Sequence, residues 1–400
     1  MKKTEGWKRN LFVLWFGTFM TGIAFSEVMP FLSLYVDQLG DFSKQELTIY
    51  SSIAFSITFL TTAIVSPWWG KLADKYGRKP MLLRSSIGMA LVMGSMGFVT
   101  NVYWLIFLRA LQGALGGYIS NANAFIATNS PKEQSGKSLS ILVTGITAGN
   151  LLGPFIGGTI ASIFSYRQTF FVTGSILILV FILTLFFVHE DFTPFEKKAG
   201  TSSKEIWSKL PNKQLIISVF VTTVIVQMVN TSINPFVALF VRELTHNATH
   251  TAFIAGVVAA MPGFATIIAA TYFGKLGDRI GNIKILTYGF IFAFLVQFPT
   301  SFVTSVTALM FFRFLIGISD AAMVPQLNTL LAKNTPHEMT SRIFSYNQSF
   351  MSIGNILGPA LGTIIANIFD YRGVFMAGSI LILLNFILFK FNQRKINKTL

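Results

Sequence analysis

Long apolar runs separated by short polar breaks organise this chain. Twelve runs are of spanning length, at about 11–36, 48–69, 81–100, 103–127, 138–163, 168–189, 215–241, 251–273, 285–303, 306–331, 343–369 and 373–390. A helix needs about 20 apolar residues to cross a bilayer core. The pattern predicts an all-α membrane protein of twelve transmembrane helices. The one substantial polar stretch, from His189-Glu190-Asp191 to Lys213, divides it into an N-terminal six-helix half (1–189), a linker (190–214) and a C-terminal six-helix half (215–400). Within the linker, Ser203–Leu210 reads either as a short interfacial amphipathic helix or as a solvated tether.

The two halves repeat each other. Gly70-Lys71-Leu72-Ala73-Asp74-Lys75-Tyr76-Gly77-Arg78-Lys79 is answered by Gly274-Lys275-Leu276-Gly277-Asp278-Arg279-Ile280-Gly281-Asn282, 204 positions on. Arg109-x-x-x-Gly113 returns as Arg313-x-x-x-Gly317 at the same offset. Pro30-Phe31, Gly149-Asn150-x-Leu152-Gly153-Pro154-x-x-Gly157 and Tyr166-Arg167 return 205 positions on, at Pro235, Gly354 and Tyr371. A period of half the chain means a structure built twice. Parallel repeats of six helices are a known architecture of secondary transporters.

Composition agrees with a bilayer as solvent. Hydrophobic residues make up 52% and charged residues 12%, about half the charged share of soluble domains. The net charge of +15 suggests nucleic acid in a soluble protein; here its placement matters instead. With the N-terminus inside, 25 of the 31 Lys and Arg lie on the cytoplasmic side. Only Lys44, Arg167, Arg242 and Arg372 lie outside, and Arg109 and Arg313 within spans. That asymmetry predicts cytoplasmic termini and linker in the cell membrane, and no role in nucleic-acid binding. The run after the basic N-terminus is too long for a signal peptide and reads as the first span.

These motifs resemble the major facilitator superfamily over essentially the whole chain. The loop signature G-x-L-A-D-x-x-G-R-K is matched at Gly70, Leu72, Ala73, Asp74, Gly77, Arg78 and Lys79, and the fourth-helix Arg-x-x-Gln-Gly at Arg109, Gln112 and Gly113. The fifth-helix signature of its exporters is matched at Gly149, Gly153, Pro154, Gly157 and Gly158, with Ser140 where an earlier glycine usually stands. Together they look like the twelve-span drug:proton antiporter branch of bacterial multidrug and tetracycline exporters. The resemblance implies a conformational latch at Gly70, Asp74, Gly77, Arg78 and the repeated Asp278. Physically, Gly70 and Gly77 would permit a tight turn, and Asp74 would either cap a neighbouring helix N-terminus or pair with Arg78. Glycines at helical spacing on the fifth helix make a face for close packing and Pro154 bends it, as suits a gating helix.

Two acids fall well inside spans, Glu27 and Asp320. Each costs at least about 2.5–3.5 kcal/mol at bilayer centre if ionised and lipid-facing, so each is expected to face the bundle interior. Glu27 lies one turn before Pro30. Asp320 lies two turns after Arg313, about 10 Å along one helix face. One reading makes Glu27 and Asp320 the proton-carrying or cation-recognising acids, modulated by Arg109 and Arg313. The other makes each a neutral or salt-bridged structural residue, Asp320 with Arg313 being one such pairing. Gln112, Asn123, Asn230, Asn234 and Tyr346 are candidate pocket residues, within an apolar site with few polar groups that suits amphiphilic compounds. Tyr118, Phe31 and Phe350 are candidate aromatic walls.

Other signals carry less. Gly136-Lys137-Ser138 resembles the end of a phosphate loop, but Pro131 stands where its first glycine belongs. His246 and His250 lack an evident third metal ligand. Asn247-Ala248-Thr249 fits a glycosylation acceptor. No catalytic residue, metal site or cofactor is assigned. The expectation is a monomeric proton-driven exporter of amphiphilic small molecules rather than an enzyme. A narrow-substrate facilitator for a sugar, metabolite or lipid precursor, or a transporter-like receptor, are the alternatives.

Overall fold

The computed structural model describes residues 3–131, 134–192, 210, 212–246, 250–336 and 339–399. Most of the 203–210 linker segment and the 247–249 acceptor lie outside the described residues. Every regular element among those described is helical. In order they are α1 (Lys3–Ser26), α2 (Leu32–Asp37), α3 (Lys44–Tyr76), α4 (Arg78–Met96), α5 (Val102–Leu115), α6 (Tyr118–Asn129), α7 (Ser135–Ile163) and α8 (Tyr166–Phe187). Then follow α9 (Lys213–Ser232), a 3₁₀ turn (Asn234–Phe236), α10 (Val237–Leu244), α11 (Thr251–Ile280), α12 (Asn282–Thr300), α13 (Val306–Lys333) and α14 (Thr340–Thr399). α14 is two helices joined at a non-helical Phe369–Asp370.

Nine helical stretches among the described residues are long and apolar enough to cross a membrane. The last contains the α14 kink and so makes two passes. α1 and α4 are less apolar; α4 carries Arg78, Lys79 and Arg84 among small residues. With them the helices of the described residues match the twelve runs of the apolar pattern.

By contact the chain forms two compact units, Met1–Glu196 with Asn247–Ala260, and Lys197–His246 with Met261–Leu400. In the first, α1 packs on α7, α3 on α5, and α4 on α8. In the second, α9 packs on α14, and α12 on both α13 and α14. The same small-scale devices recur in each. Asn101 and Ser305 cap α5 and α13 by accepting from Trp104 and Ala308 N–H. Phe31 stacks on Tyr166 (5.6 Å) beside Tyr35 and Phe170, as Phe236 stacks on Tyr371 (5.8 Å) beside Phe240 and Phe375.

Two features depart from the sequence reading. The polar segments around Asp74 and Asp278 are not loops: α3 runs to Tyr76 and α4 starts at Arg78, leaving only Gly77, with φ +95°, to turn the chain. Gly281 does the same at φ +102°. Gly70 therefore lies in a helix interior with nothing within 4 Å of a would-be Cβ, and the tight turn does not need it.

The fourth span, expected to be continuous, breaks between α5 and α6 at Gly116-Gly117, where Gly117 takes φ +114°. Carbonyls exposed there must be satisfied in a membrane. Side chains do so: Thr62 donates to Gly113 O (3.0 Å), Trp69 to Ala114 O (2.7 Å), Arg84 to Gly116 O (2.8 Å) and Asn121 to Gly117 O (2.8 Å). In α13 the corresponding residues are Asp320 and Ala321, and the helix runs through.

Candidate functional site

Pro30 has no N–H for the carbonyl of Ser26, so α1 ends there and Ser26 O accepts from Met29 N–H instead (3.2 Å). Glu27 follows in the turn. It has no exposed surface, and neither carboxyl oxygen has a partner among the described residues. α7 packs against its backbone and Cβ. A Cβ on Gly149 would strike Phe19 O, on Gly153 Ser26 Oγ, and on Gly157 Glu27 O. Ser26 Oγ also donates to Gly149 O (3.2 Å). Gly158 faces away, where a Cβ would lie 2.6 Å from Ala252 O in the same unit.

The second unit repeats this packing without the acid. Gly354, Gly358 and Gly362 of α14 press on α9, and the residue in Glu27's place is Ser232. Its acid is Asp320 on α13, which accepts from Asn230 Nδ2 of α9 (3.0 Å). No ion pair joins Asp320 to Arg313 among the described residues; the partner of Asp320 is the Asn230 amide.

Arg109 is 6% exposed and is held by neutral groups. Its Nε donates to Ala54 O (2.9 Å) and its Nη1 to Gln112 Oε1 (2.7 Å), so it staples α5 to α3. Gln112 thus gives its Oε1 to Arg109, while its buried Nε2 has no partner among the described residues. Asn123 and Asn234 are half-buried, in α6 and the 3₁₀ turn. Tyr346 and Phe350 pack against the core around Phe220. Tyr118 and Phe31 are fully buried, Tyr118 bonded to Thr184 (2.9 Å) and Phe31 inside its aromatic cluster, so neither forms an open wall.

At the α3–α4 turn, Asp74 pairs with Arg78 (2.7 Å). The cap on α4 is Glu190, the first residue of the polar linker. Its carboxylate accepts from Arg78 N–H and Lys79 N–H, both at 2.7 Å. A negative charge on free N–H groups at a helix N-terminus is favourable. The neighbouring His189 is tied to α1 by two backbone bonds with Asn10 (2.8 and 3.1 Å). In the second unit Arg78's counterpart is Asn282, and Asp278 takes its cation from the end of α13 instead: Lys333 lies 3.5 Å away and also donates to Asn282 (2.8 Å). Beside the Gly116-Gly117 break is a cavity of about 210 Å³, lined by Thr62, Trp69, Arg78, Ser120 and Asn121 among others. Among the described residues no group of three or more His, Asp or Glu is placed to hold a metal.

The comparisons bear on this arrangement as a whole. Residues 14–253 and 219–399 match the Major Facilitator Superfamily. The chain is 49% identical over 379 residues to "Multidrug resistance protein MdtG" of Salmonella heidelberg (strain SL476), covering 95% of this chain and 94% of that one. It is 45% identical over 397 residues to the MdtG of Proteus mirabilis (strain HI4320), covering 98% and 99%. Among solved structures, a bacterial homologue of the human lysosomal transporter Spinster superposes with TM-score 0.79 at 15% identity, covering 96% of each chain. A point mutant of the nucleoside transporter NupG gives 0.78 at 12% identity, covering 96% and 99%. At such low identity the structures show the fold, that of an all-α multi-pass membrane protein; the sequence matches show the lineage. The chain belongs to the Major Facilitator Superfamily.

Proposed function

We propose that the protein is a proton-coupled secondary exporter of structurally varied amphiphilic drugs and toxic compounds, working by alternating access. Its similarity to MdtG multidrug resistance proteins over nearly the full length of both chains supports multidrug efflux. We place it in the cell membrane as a monomer with both termini cytoplasmic, and assign the proton gradient rather than any cofactor as its driving force.

The observation that carries proton coupling is Glu27, fully buried where the glycine face of α7 packs on its backbone, with no donor to either oxygen among the described residues. A carboxylate left unsolvated and unpaired costs several kcal/mol. Glu27 can therefore release its proton only when α1 and α7 part enough to admit water or a substrate. Proton and substrate then favour different conformers and oppose each other, which is the linkage that exchange requires. Asp320 with Asn230 is the second candidate, and the Asp74–Arg78 and Asp278–Lys333 pairs are latches that hold one conformer.

Ethidium efflux from loaded cells, with and without a protonophore, tests the reading beside Glu27→Gln and Asp320→Asn. Protonophore-sensitive efflux lost in one variant supports it and names the coupling acid. No dye efflux from a well-expressed protein moves the assignment to a narrow-substrate carrier.

A further inference from the structure

The two pseudo-equivalent arginines are satisfied differently, and the difference locates a ligand. In the first unit Gln112, one turn after Arg109, supplies an acceptor to its guanidinium (2.7 Å). In the second unit Ile316 occupies that place, 204 positions on. Arg313 is nonetheless 7% exposed, and its Nε has no hydrogen-bond partner among the described residues. A cavity of about 10 Å³ opens beside it, lined by Arg313, Ile316, Asn230 and Gln297 among others.

The polar groups have changed sides. Asn230 and Gln297 stand where the first unit has the apolar Phe25 and Met93. Gln297 is 3% exposed and makes no side-chain hydrogen bond among the described residues. Asn230 donates its Nδ2 to Asp320. A buried guanidinium N–H, the buried Gln297 amide and the half-buried Asn230 amide around this small space supply the polar partners of an ordered water, which takes about three.

We propose that a single water molecule is bound in this cavity, accepting from Arg313 Nε and hydrogen-bonded to Asn230 and Gln297. The chain Arg313–water–Asn230–Asp320 then ties the arginine to the acid without an ion pair. Arg313 is a positioning residue that fixes the Asn230 amide toward Asp320. The water site stands on this geometry alone; its consequence for transport rests on the proton-coupling reading of Asp320.

The first test is a structure of the full-length protein in lipid nanodiscs at a resolution that shows ordered water. One density peak at hydrogen-bonding distance, about 2.7–3.2 Å, from Arg313 Nε is expected. A dry cavity, or a direct Arg313–Gln297 bond, overturns the proposal. The second test is ethidium efflux. Gln297→Met keeps the volume and removes a partner of the water; it should lower the initial rate by about tenfold, the factor expected of one buried hydrogen bond in a charged network. Adding Ile316→Gln restores on α13 the amide that Gln112 supplies on α5, and should recover most of that loss. Efflux unchanged by Gln297→Met, or no recovery in the double variant, overturns the link to transport. Water density present together with wild-type efflux in Asp320→Asn upholds the site and removes Asp320 from the coupling role.

Discussion

Gly157→Ala places one methyl at the point where α7 packs on the Glu27 backbone. The new Cβ would fall on the Glu27 carbonyl oxygen and lie 2.7 Å from both Glu27 C and Glu27 Cβ. Carbon atoms rest at about 3.5–4.0 Å, and neither the carbonyl nor Cβ is the loose end of a side chain. α1 and α7 must separate by about 1 Å along that stretch. Overpacking of this kind costs about 1–3 kcal/mol. The gap also forfeits a quarter to a half of the dispersion energy of the contacts along the Gly149–Gly153–Gly157 face. Better helix propensity of Ala offsets about 1 kcal/mol. The net expectation is a loss of about 1–3 kcal/mol in the conformer described, with water admitted to Glu27. Thermal melting of purified protein and ethidium efflux at matched expression measure it, with Gly136→Ala as the control because no atom lies within 4 Å of its Cβ position. A Gly157→Ala protein that melts and transports like wild type refutes the claim that the packing of this glycine face on Glu27 keeps the acid buried.

Gly70→Ala should leave folding intact or stabilise it by about 1 kcal/mol, because Gly70 is helical and unobstructed; a large drop in melting temperature would show that the helix interior is not its working conformation. Glu190→Ala removes both acceptors at the start of α4 and should cost about 1–2 kcal/mol, with Glu190→Gln losing roughly half of that, read by thermal melting. Equal melting of all three proteins would dismiss the cap. Ser43 opens α3 with a capping box whose backbone and hydroxyl hydrogen bonds hold the Glu46 carboxyl below its ordinary value of 4.5. A depressed folded-state value means that its stabilisation is present above that ordinary value and lost as pH falls through the folded one. The melting difference between wild type and Glu46→Gln should accordingly be present at neutral pH and vanish in acid; a difference that grows in acid contradicts the assignment.

Much of the fold was legible because apolar length and a repeat at constant offset are local or one-dimensional signals. The positions of Glu27 and Asp320 could be picked out by their cost in a membrane, before any contact was known. What stayed hidden was partner choice. Glu190 reads as linker because its partners are backbone N–H groups 111 and 112 residues away, which leave no mark on side-chain pattern. The break in the fourth span had a trace in Gly116-Gly117, whose counterparts Asp320 and Ala321 lack it, yet four side chains from other helices or turns complete it. Arg109 and Arg313 look alike in their motif. Only the exchange of Gln112 for Ile316, and of Phe25 and Met93 for Asn230 and Gln297, separates a satisfied staple from an arginine facing a cavity.

The central claim is that a buried acid couples transport to protons. The most direct measurement is ethidium movement in proteoliposomes of purified protein under an imposed pH gradient, with proton flux followed in parallel, for wild type, Glu27→Gln and Asp320→Asn. The account predicts gradient-driven ethidium movement with opposite proton flux in wild type, and loss of both in at least one variant that still folds. Gradient-driven exchange that persists undiminished in both variants would contradict it.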